Sequence, residues 1–187
     1  PLEESLEAMG VATWAMVEIE ADDALASAAH IAAKDKRVEK VSIWTPDKDL
    51  SQLLAGLDEQ WEYGRGQRWG ASGVKARHGV EAHQIADYLA LTGDAVDNIP
   101  GVPGVGSKTA AVLLAHFGSL DALLARVDEV AFLRLRGAAT VAAKLRAHRE
   151  QALLWRQLTT IALDAPLQRD VFDRGHADGP ALLALLT

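Results

Sequence analysis

The segment from Thr92 to Thr109, Thr-Gly-Asp-Ala-Val-Asp-Asn-Ile-Pro-Gly-Val-Pro-Gly-Val-Gly-Ser-Lys-Thr, restricts the fold more than any other part of the chain. Pro100 and Pro103 fix φ and remove amide donors, whereas Gly101, Gly104 and Gly106 open backbone conformations closed to other residues. Neither a helix nor a strand can run through it, so it is a tight connection. Apolar residues recur at helical spacing on both sides, over Ala82 to Leu91 and Ser107 to Phe117, so the connection joins two helices. The amides that open the second helix at Ser107 point outward, backed by the positive end of the helix dipole, which suits them to hold a phosphate. Just ahead of the turn, Asp94 and Asp97 place two carboxylates beside that cradle.

Five more acids stand at comparable junctions. Val11 to Glu18 is expected to form a strand ending near Glu20, followed by an alanine-rich helix over Ala21 to Lys34 with Asp22 and Asp23 in its first turn. Val41 to Trp44 reads as a short buried strand, Thr45-Pro46-Asp47 as a turn, and Asp49 to Leu54 as the start of another helix. Each acid alone has an ordinary explanation as a helix cap or turn former. As a set they fall where strand ends meet helices, and in an open α/β sheet such ends converge on one crevice. Two like charges about 5 Å apart repel by roughly 3 kcal/mol at an effective dielectric near 20, so such a cluster calls for protons or cations. With no cysteine in the chain and no paired spacing among its six histidines, the donors are oxygens, which favours Mg²⁺ or Mn²⁺ over zinc.

The remainder of the chain divides by composition. Residues 1–71 are expected to form an α/β core, with a short helix at Leu2 to Met9, a further strand at Gln60 to Tyr63 and a basic, aromatic loop at Arg65 to Gly70. Residues 72–187 are expected to be helical, over Ser72 to His78, Ala82 to Leu91, Ser107 to Phe117, Leu120 to Ala125, Glu129 to Leu135 and Thr140 to Thr159, with a last strand near Thr160 to Leu163 and a loop over Gly175 to Pro180. Of the five tryptophans, Trp69 stands out as a base-stacking candidate because Arg65 and Arg68 share its loop.

A net charge of −7 argues against a polyanionic partner unless the acids are gathered in one place. Setting aside Glu20, Asp22, Asp23, Asp47, Asp49, Asp94 and Asp97 leaves 19 of the 26 acids against 19 Lys and Arg. Arg134 to Arg156 then carries Arg134, Arg136, Lys144, Arg146, Arg149 and Arg156 against Glu150 alone, either a surface for a nucleic-acid backbone or a solvated helix face. No apolar run has the length of a membrane span, and the N-terminus lacks the pattern of a signal peptide. The glycine hairpin is not the phosphate loop of nucleotide hydrolases, because Ser107 separates Gly106 from Lys108 and a helix precedes it.

Glu20-Ala-Asp22-Asp23, Thr45-Pro-Asp47-Lys-Asp49-Leu50, and the run from Asp87 through Thr92-Gly-Asp94-Ala-Val-Asp97 to Ala111 together resemble the 5′→3′ exonuclease or flap endonuclease family. That family includes the nuclease domain of bacterial DNA polymerase I and stand-alone bacterial relatives. The resemblance covers about Leu2 to Leu124. It implies a PIN-like α/β nuclease core, partial here, followed by a helical region with a helix-3-turn-helix DNA-binding element at about 82–118. It implies two divalent ions, one held mainly by Glu20, Asp22 and Asp23, the other by Asp94 and Asp97, with Asp47 and Asp49 near both. Asp22, Asp23, Asp47, Asp49, Asp94 and Asp97 then carry catalysis, one ion activating water for in-line attack and the other stabilising the leaving oxygen. It also implies a potassium ion on the backbone carbonyls of Leu91, Thr92, Pro100, Val102 and Val105, and DNA phosphate contacts from Gly104, Gly106, Ser107, Lys108 and Thr109. The implied partner is DNA with a 5′ end or flap, met by a monomer in the cytoplasm, at the nucleoid.

The chain departs from the family in two respects. Pro46 replaces the usual Gly ahead of the first acid of the second motif. The family's first, Asp-bearing strand and its helical arch have no counterpart from Pro1 onward, so these residues alone are expected to show little or no nuclease activity. The competing reading is a non-catalytic, sequence-independent duplex DNA-binding module. A metal-dependent phosphatase built on Asp47 and Asp49 is a third, which leaves the hairpin unexplained.

Overall fold

The computed structural model describes residues 2–173 and 175–186, which form two compact units, one of residues up to Val41 and from Ala162 onward, the other spanning Ser42–Ile161.

In the first unit, α1 (Leu2–Ala8) packs on α9 (Gly179–Leu186), and the Asp178 amide donates to the Ala8 carbonyl at 2.7 Å. The expected loop over Gly175 to Pro180 therefore ends early, with Asp178 accepting from the Ala181 amide at 3.1 Å as the N-terminal cap of α9. Helix α2 (Ala21–Lys34) forms as expected, burying Ala24, Ala26 and Ala28. The strand expected over Val11 to Glu18 does not form. Its β-branched residues face water, Val17 being 96% exposed, and side chains rather than a ladder hold it, through Trp14 Nε1 to the Arg169 carbonyl and Gln168 Nε2 to the Ala15 carbonyl. β-propensity has effect only where neighbours supply a pleated, half-buried surface.

The second unit is built on a three-stranded sheet in the order β1 (Ser42–Trp44), β2 (Glu59–Glu62), β3 (Gln67–Gly70). β1 runs parallel to β2 with Ile43 opposite Gln60, and β3 runs antiparallel to β2 with Gln60 opposite Trp69. Gln67–Gly70, within the loop expected over Arg65 to Gly70, is thus a strand: Gly66 at φ 62° reverses the chain after a turn at Tyr63–Arg65.

The rest of the unit is helical: α3 (Ala71–His78), which packs on β3, then α4 (Ile85–Thr92), α5 (Ser107–Phe117), α6 (Leu120–Ala125), α7 (Ala138–Ala147) and α8 (Arg149–Thr159), with α4 packed against α5 and α8. Leu50, Val74, Ile85, Leu89, Leu91, Leu113, Leu114, Leu120, Leu123 and Leu145 make the core, each under 2% exposed. The helix expected over Thr140 to Thr159 is two helices, broken at His148, because they serve different neighbours: α7 covers a 3₁₀-helix at Val127–Phe132, where a helix over Glu129 to Leu135 was expected, and α8 covers α4. Asp49–Leu53 is likewise 3₁₀ rather than α. The strand expected near Thr160 to Leu163 is absent, since the Ile161 amide binds Gln52 Oε1 and the Ala162 amide binds Asp23 Oδ1. Among the described residues no helix is long and apolar enough to cross a membrane.

Candidate metal centre

The turn after β1 is held from below by a single buried side chain. Gln60, fully buried in the middle of β2, donates through Nε2 to the carbonyls of Thr45 and Asp47 and accepts through Oε1 from Ser51 Oγ at 2.6 Å. Ser51 Oγ accepts in turn from Trp69 Nε1 on β3 at 3.2 Å. Within the turn, Asp47 Oδ1 accepts from the Asp49 amide at 2.9 Å, and Gln52 ties the turn to α8 through the Thr159 carbonyl at 3.1 Å. Asp47 and Asp49 are thereby fixed relative to the sheet. Trp69 gives its indole N–H to this network and lies beneath the Arg77 guanidinium, which covers one face of the ring against the base stacking expected of it. The exposed indole is Trp44, stacked on Trp61 at 5.1 Å.

The second wall follows α4. Gly93 at φ 82° turns the chain out of the helix, and Asp94 and Ile99 then bridge through reciprocal amide bonds of 2.8 and 2.7 Å. Asn98 adopts φ 57° to close this small loop, and Asp94 Oδ1 accepts from the Val96 amide at 3.0 Å. Asp94 is buried and Asp97 exposed. Because the Asp49–Leu53 turn packs on α4, the two walls meet: Asp49, Asp94 and Asp97 each offer a carboxylate oxygen, all within 4.8 Å of one another.

Lys48 Nζ donates to Asp94 Oδ2 and stands 3.9 Å from Asp49 Oδ1. Burial opposes the Lys48 charge most strongly, yet the hydrogen bond to Asp94 and the charges of Asp49, Asp94 and Asp47 together raise its pKa. Asp49 Oδ1 is buried with no hydrogen-bond partner. Burial, reinforced by the charge of Asp47 and then of Asp94 and Asp97 against the opposing Lys48, pushes the Asp49 carboxyl up to about 7. An orphaned buried carboxylate oxygen among converging acids is a donor set that fits a hard divalent cation.

Glu20, Asp22 and Asp23 belong to the other unit and open α2. Glu20 and Asp23 form a reciprocal capping box, with the Glu20 amide donating to Asp23 Oδ2 at 3.2 Å, and Asp23 Oδ1 accepts from the Ala162 amide at 2.8 Å. Asp22 lies in the same first turn, half-buried.

The remainder of the Thr92–Thr109 segment is a rigid hairpin between α4 and α5. Val102 donates to the Leu91 carbonyl at 2.9 Å and Val105 to the Val102 carbonyl at 3.0 Å, while Ile99, Val102 and Val105 are buried. Gly101, at φ 69°, sits where a Cβ would come within 2.3 Å of the Gly93 nitrogen, so two backbone strands touch there. Thr92, Gly93, Asp94, Ala95, Asn98, Ile99 and Pro100 line a cleft of about 500 Å³. Gly106 caps α5, leaving Ser107 and Lys108 exposed at its start, and Lys144 Nζ reaches across from α7 to Gly104. Three other members of the basic stretch are occupied: Arg146 pairs with Asp128, Arg156 with Asp121 at 2.9 Å, and Arg149 donates to the Leu124 carbonyl.

Sequence reading did not find Gln60, Ser51 or Lys48. Neither Gln60 nor Lys48 left a signal: Gln60 stands between Glu59 and Trp61 in a mostly polar run, and a lysine between two acids, as Lys48 is, is ordinary on a surface.

Residues 1–79 match the family model described as 5′-3′ exonuclease, N-terminal resolvase-like domain, and residues 80–178 the model described as 5′-3′ exonuclease, C-terminal SAM fold. DNA polymerase I of Pseudomonas aeruginosa is 43% identical over 188 residues, covering 99% of this chain and 20% of that protein. A 5′-3′ exonuclease of Buchnera aphidicola is 34% identical over 167 residues, covering 89% of this chain and 58% of that protein. The chain thus spans a fifth of one relative and little more than half of the other. A solved structure of the bacteriophage T5 flap endonuclease, a pseudo-enzyme-product complex with DNA and metal ions, aligns with a TM-score of 0.71 at 22% identity, over 83% of this chain and 55% of that one. With two consecutive family models matched along it, the chain belongs to the 5′-3′ exonuclease family.

Proposed function

We propose that the chain supplies metal- and DNA-binding parts of a structure-selective 5′ nuclease, a 5′→3′ exonuclease or flap endonuclease that hydrolyses DNA phosphodiesters with divalent metal. The observation that carries this reading is Asp49 Oδ1, buried and without a hydrogen-bond partner in a set of three carboxylates within 4.8 Å. Mg²⁺ or Mn²⁺ suits such oxygen donors, and in this role activates water and neutralises charge building on the phosphate. Asp49, Asp94 and Asp97 are the ligands on this side, and Asp47 holds the Asp49 amide and adds its charge to the site. Glu20, Asp22 and Asp23 hold the other ion in this reading, supported by the resemblance of their motif to that of the family.

Residues 1–71 then act as the partial PIN-like metal-binding core, and residues 72–187 as a helical region whose helix-3-turn-helix at about 82–118 grips duplex DNA. Amides at Gly104, Gly106, Ser107 and Thr109, with Lys108, contact phosphates without reading bases, and Lys144 beside Gly104 adds to their charge. The carbonyls of Leu91, Thr92, Pro100, Val102 and Val105 hold K⁺; those of Leu91 and Val102 already accept one amide each and retain a second lone pair. The partner is DNA with a 5′ end or flap, bound by a monomer at the nucleoid.

In the protein that carries this chain, Asp94→Ala with Asp97→Ala is expected to abolish Mg²⁺-dependent cleavage of a 5′-flap substrate while leaving salt-sensitive duplex binding in place. Cleavage at the unaltered rate overturns the reading. One observation favours a non-catalytic duplex-binding module instead: the Lys48 ammonium already neutralises Asp94. On that reading the double variant changes little, and a chelator has no effect on the protein.

A further inference from the structure

Lys48 lies between the acids of the Asp47-Lys48-Asp49 turn, and its ammonium turns into the acid cluster. Nζ donates to Asp94 Oδ2 and stands 3.9 Å from Asp49 Oδ1, so it engages two of the three converging carboxylates. Asp49 Oδ1 nevertheless keeps no hydrogen-bond partner, so the lysine offsets the charge of the cluster without saturating its oxygens. A divalent ion held by the same oxygens stands within contact range of the ammonium, and the two cations repel. The backbone has no freedom to resolve the conflict: the Lys48 carbonyl accepts from the Ser51 amide at 3.0 Å, the Asp47 carbonyl from Gln60, and the Asp49 amide is held by Asp47. The side chain does. It is 37% exposed against 4% for Asp94, and a flexible four-carbon stem can carry the ammonium out to water.

We infer, building on the metal-site reading above, that Lys48 is a resident counter-cation that competes with the divalent ion for Asp94 and Asp49 and swings into solvent when the ion binds. It holds the acids together in the metal-free protein and sets the affinity that an ion must have to displace it. An ion of charge two gains more from these oxygens than the ammonium does, so the exchange also selects against monovalent ions.

The test is a Mn²⁺ titration of the full chain followed by water-proton relaxation. Lys48→Met and Lys48→Gln are expected to bind Mn²⁺ roughly tenfold tighter, within the 5- to 150-fold span of couplings between competing ligands. Equal or weaker binding by both overturns the inference. A second readout needs no variant: acetylation of Lys48 by a limiting reagent, followed by mass spectrometry, is expected to speed up severalfold at saturating Mg²⁺ while exposed Lys36 is unaffected. An unchanged Lys48 rate also overturns it. If Asp49→Asn leaves Mn²⁺ binding unaltered, the metal-site reading itself fails; if Asp49→Asn weakens binding and the Lys48 variants do not tighten it, only the role of Lys48 fails.

Discussion

Replacing Gln60 by leucine keeps the volume and apolar fit of a buried position but removes the hinge pin of the acidic turn. Gln60 Nε2 serves the carbonyls of Thr45 and Asp47, and Oε1 receives Ser51 Oγ. The substitution strands two part-buried carbonyls and one buried hydroxyl, and Ser51 is partly compensated by the Trp69 N–H it already accepts. At about 1–3 kcal/mol for each unsatisfied group, the expected destabilisation is roughly 3–5 kcal/mol. That is a large share of the stability of a domain of this size, about 5–15 kcal/mol, so the variant remains folded but shifted in urea. Tryptophan fluorescence during urea unfolding measures the shift. Metal affinity is expected to fall about 10- to 100-fold, because Asp47 and Asp49 lose the support that orients them. Gln60→Glu, isosteric but lacking the donor when ionised, is expected to follow the same direction. A loss under about 1 kcal/mol with metal affinity intact would refute the view that this side chain positions the acids.

Two further outcomes follow from single residues. The Asp49 carboxyl stands at about 7 in the folded protein against 3.8 in the unfolded chain, so between those values the folded state binds more protons. Its contribution to stability is therefore present below pH 3.8 and lost as pH rises through about 7, up to about 4 kcal/mol in chelator. The difference in urea stability between the chain and Asp49→Asn, followed from pH 4 to 8 without metal, is expected to move in that direction; no pH dependence of the difference contradicts it. Gly101→Ala forces a Cβ onto the Gly93 backbone at a positive φ and is expected to cost at least about 3 kcal/mol in thermal unfolding, whereas Gly106→Ala, at φ −91° with open space around it, meets no clash and is expected to cost only the poorer helix cap, about 1 kcal/mol.

What the sequence made legible was whatever the local chain chemistry decides alone. The prolines and glycines of Thr92–Thr109 require a hairpin between helices, the alanine periodicity requires α2, and Asp94 and Asp97 are tied by a short loop that brings them to one place. What stayed hidden depended on partners distant in the chain. Val11 to Glu18 has strand composition but no ladder to join, whereas the polar, glycine-flanked Gln67–Gly70 becomes a strand because β2 lies beside it. His148 breaks a helix that periodicity alone would continue, since α7 and α8 cover different neighbours. Asp49 reaches Asp94 through packing of the Asp49–Leu53 turn on α4, and the network of Gln60, Ser51 and Trp69 links β2 and β3 to the turn that follows β1. Lys48 reads as a surface lysine until Asp94 is placed against it.

The most direct measurement of the central claim is anomalous diffraction at the manganese edge from crystals of the chain soaked in Mn²⁺. A peak is expected within about 2–2.5 Å of carboxylate oxygens of Asp49, Asp94 and Asp97. A well-ordered cluster with no peak there, while Lys48 still holds Asp94, would contradict the assignment of these acids to a metal.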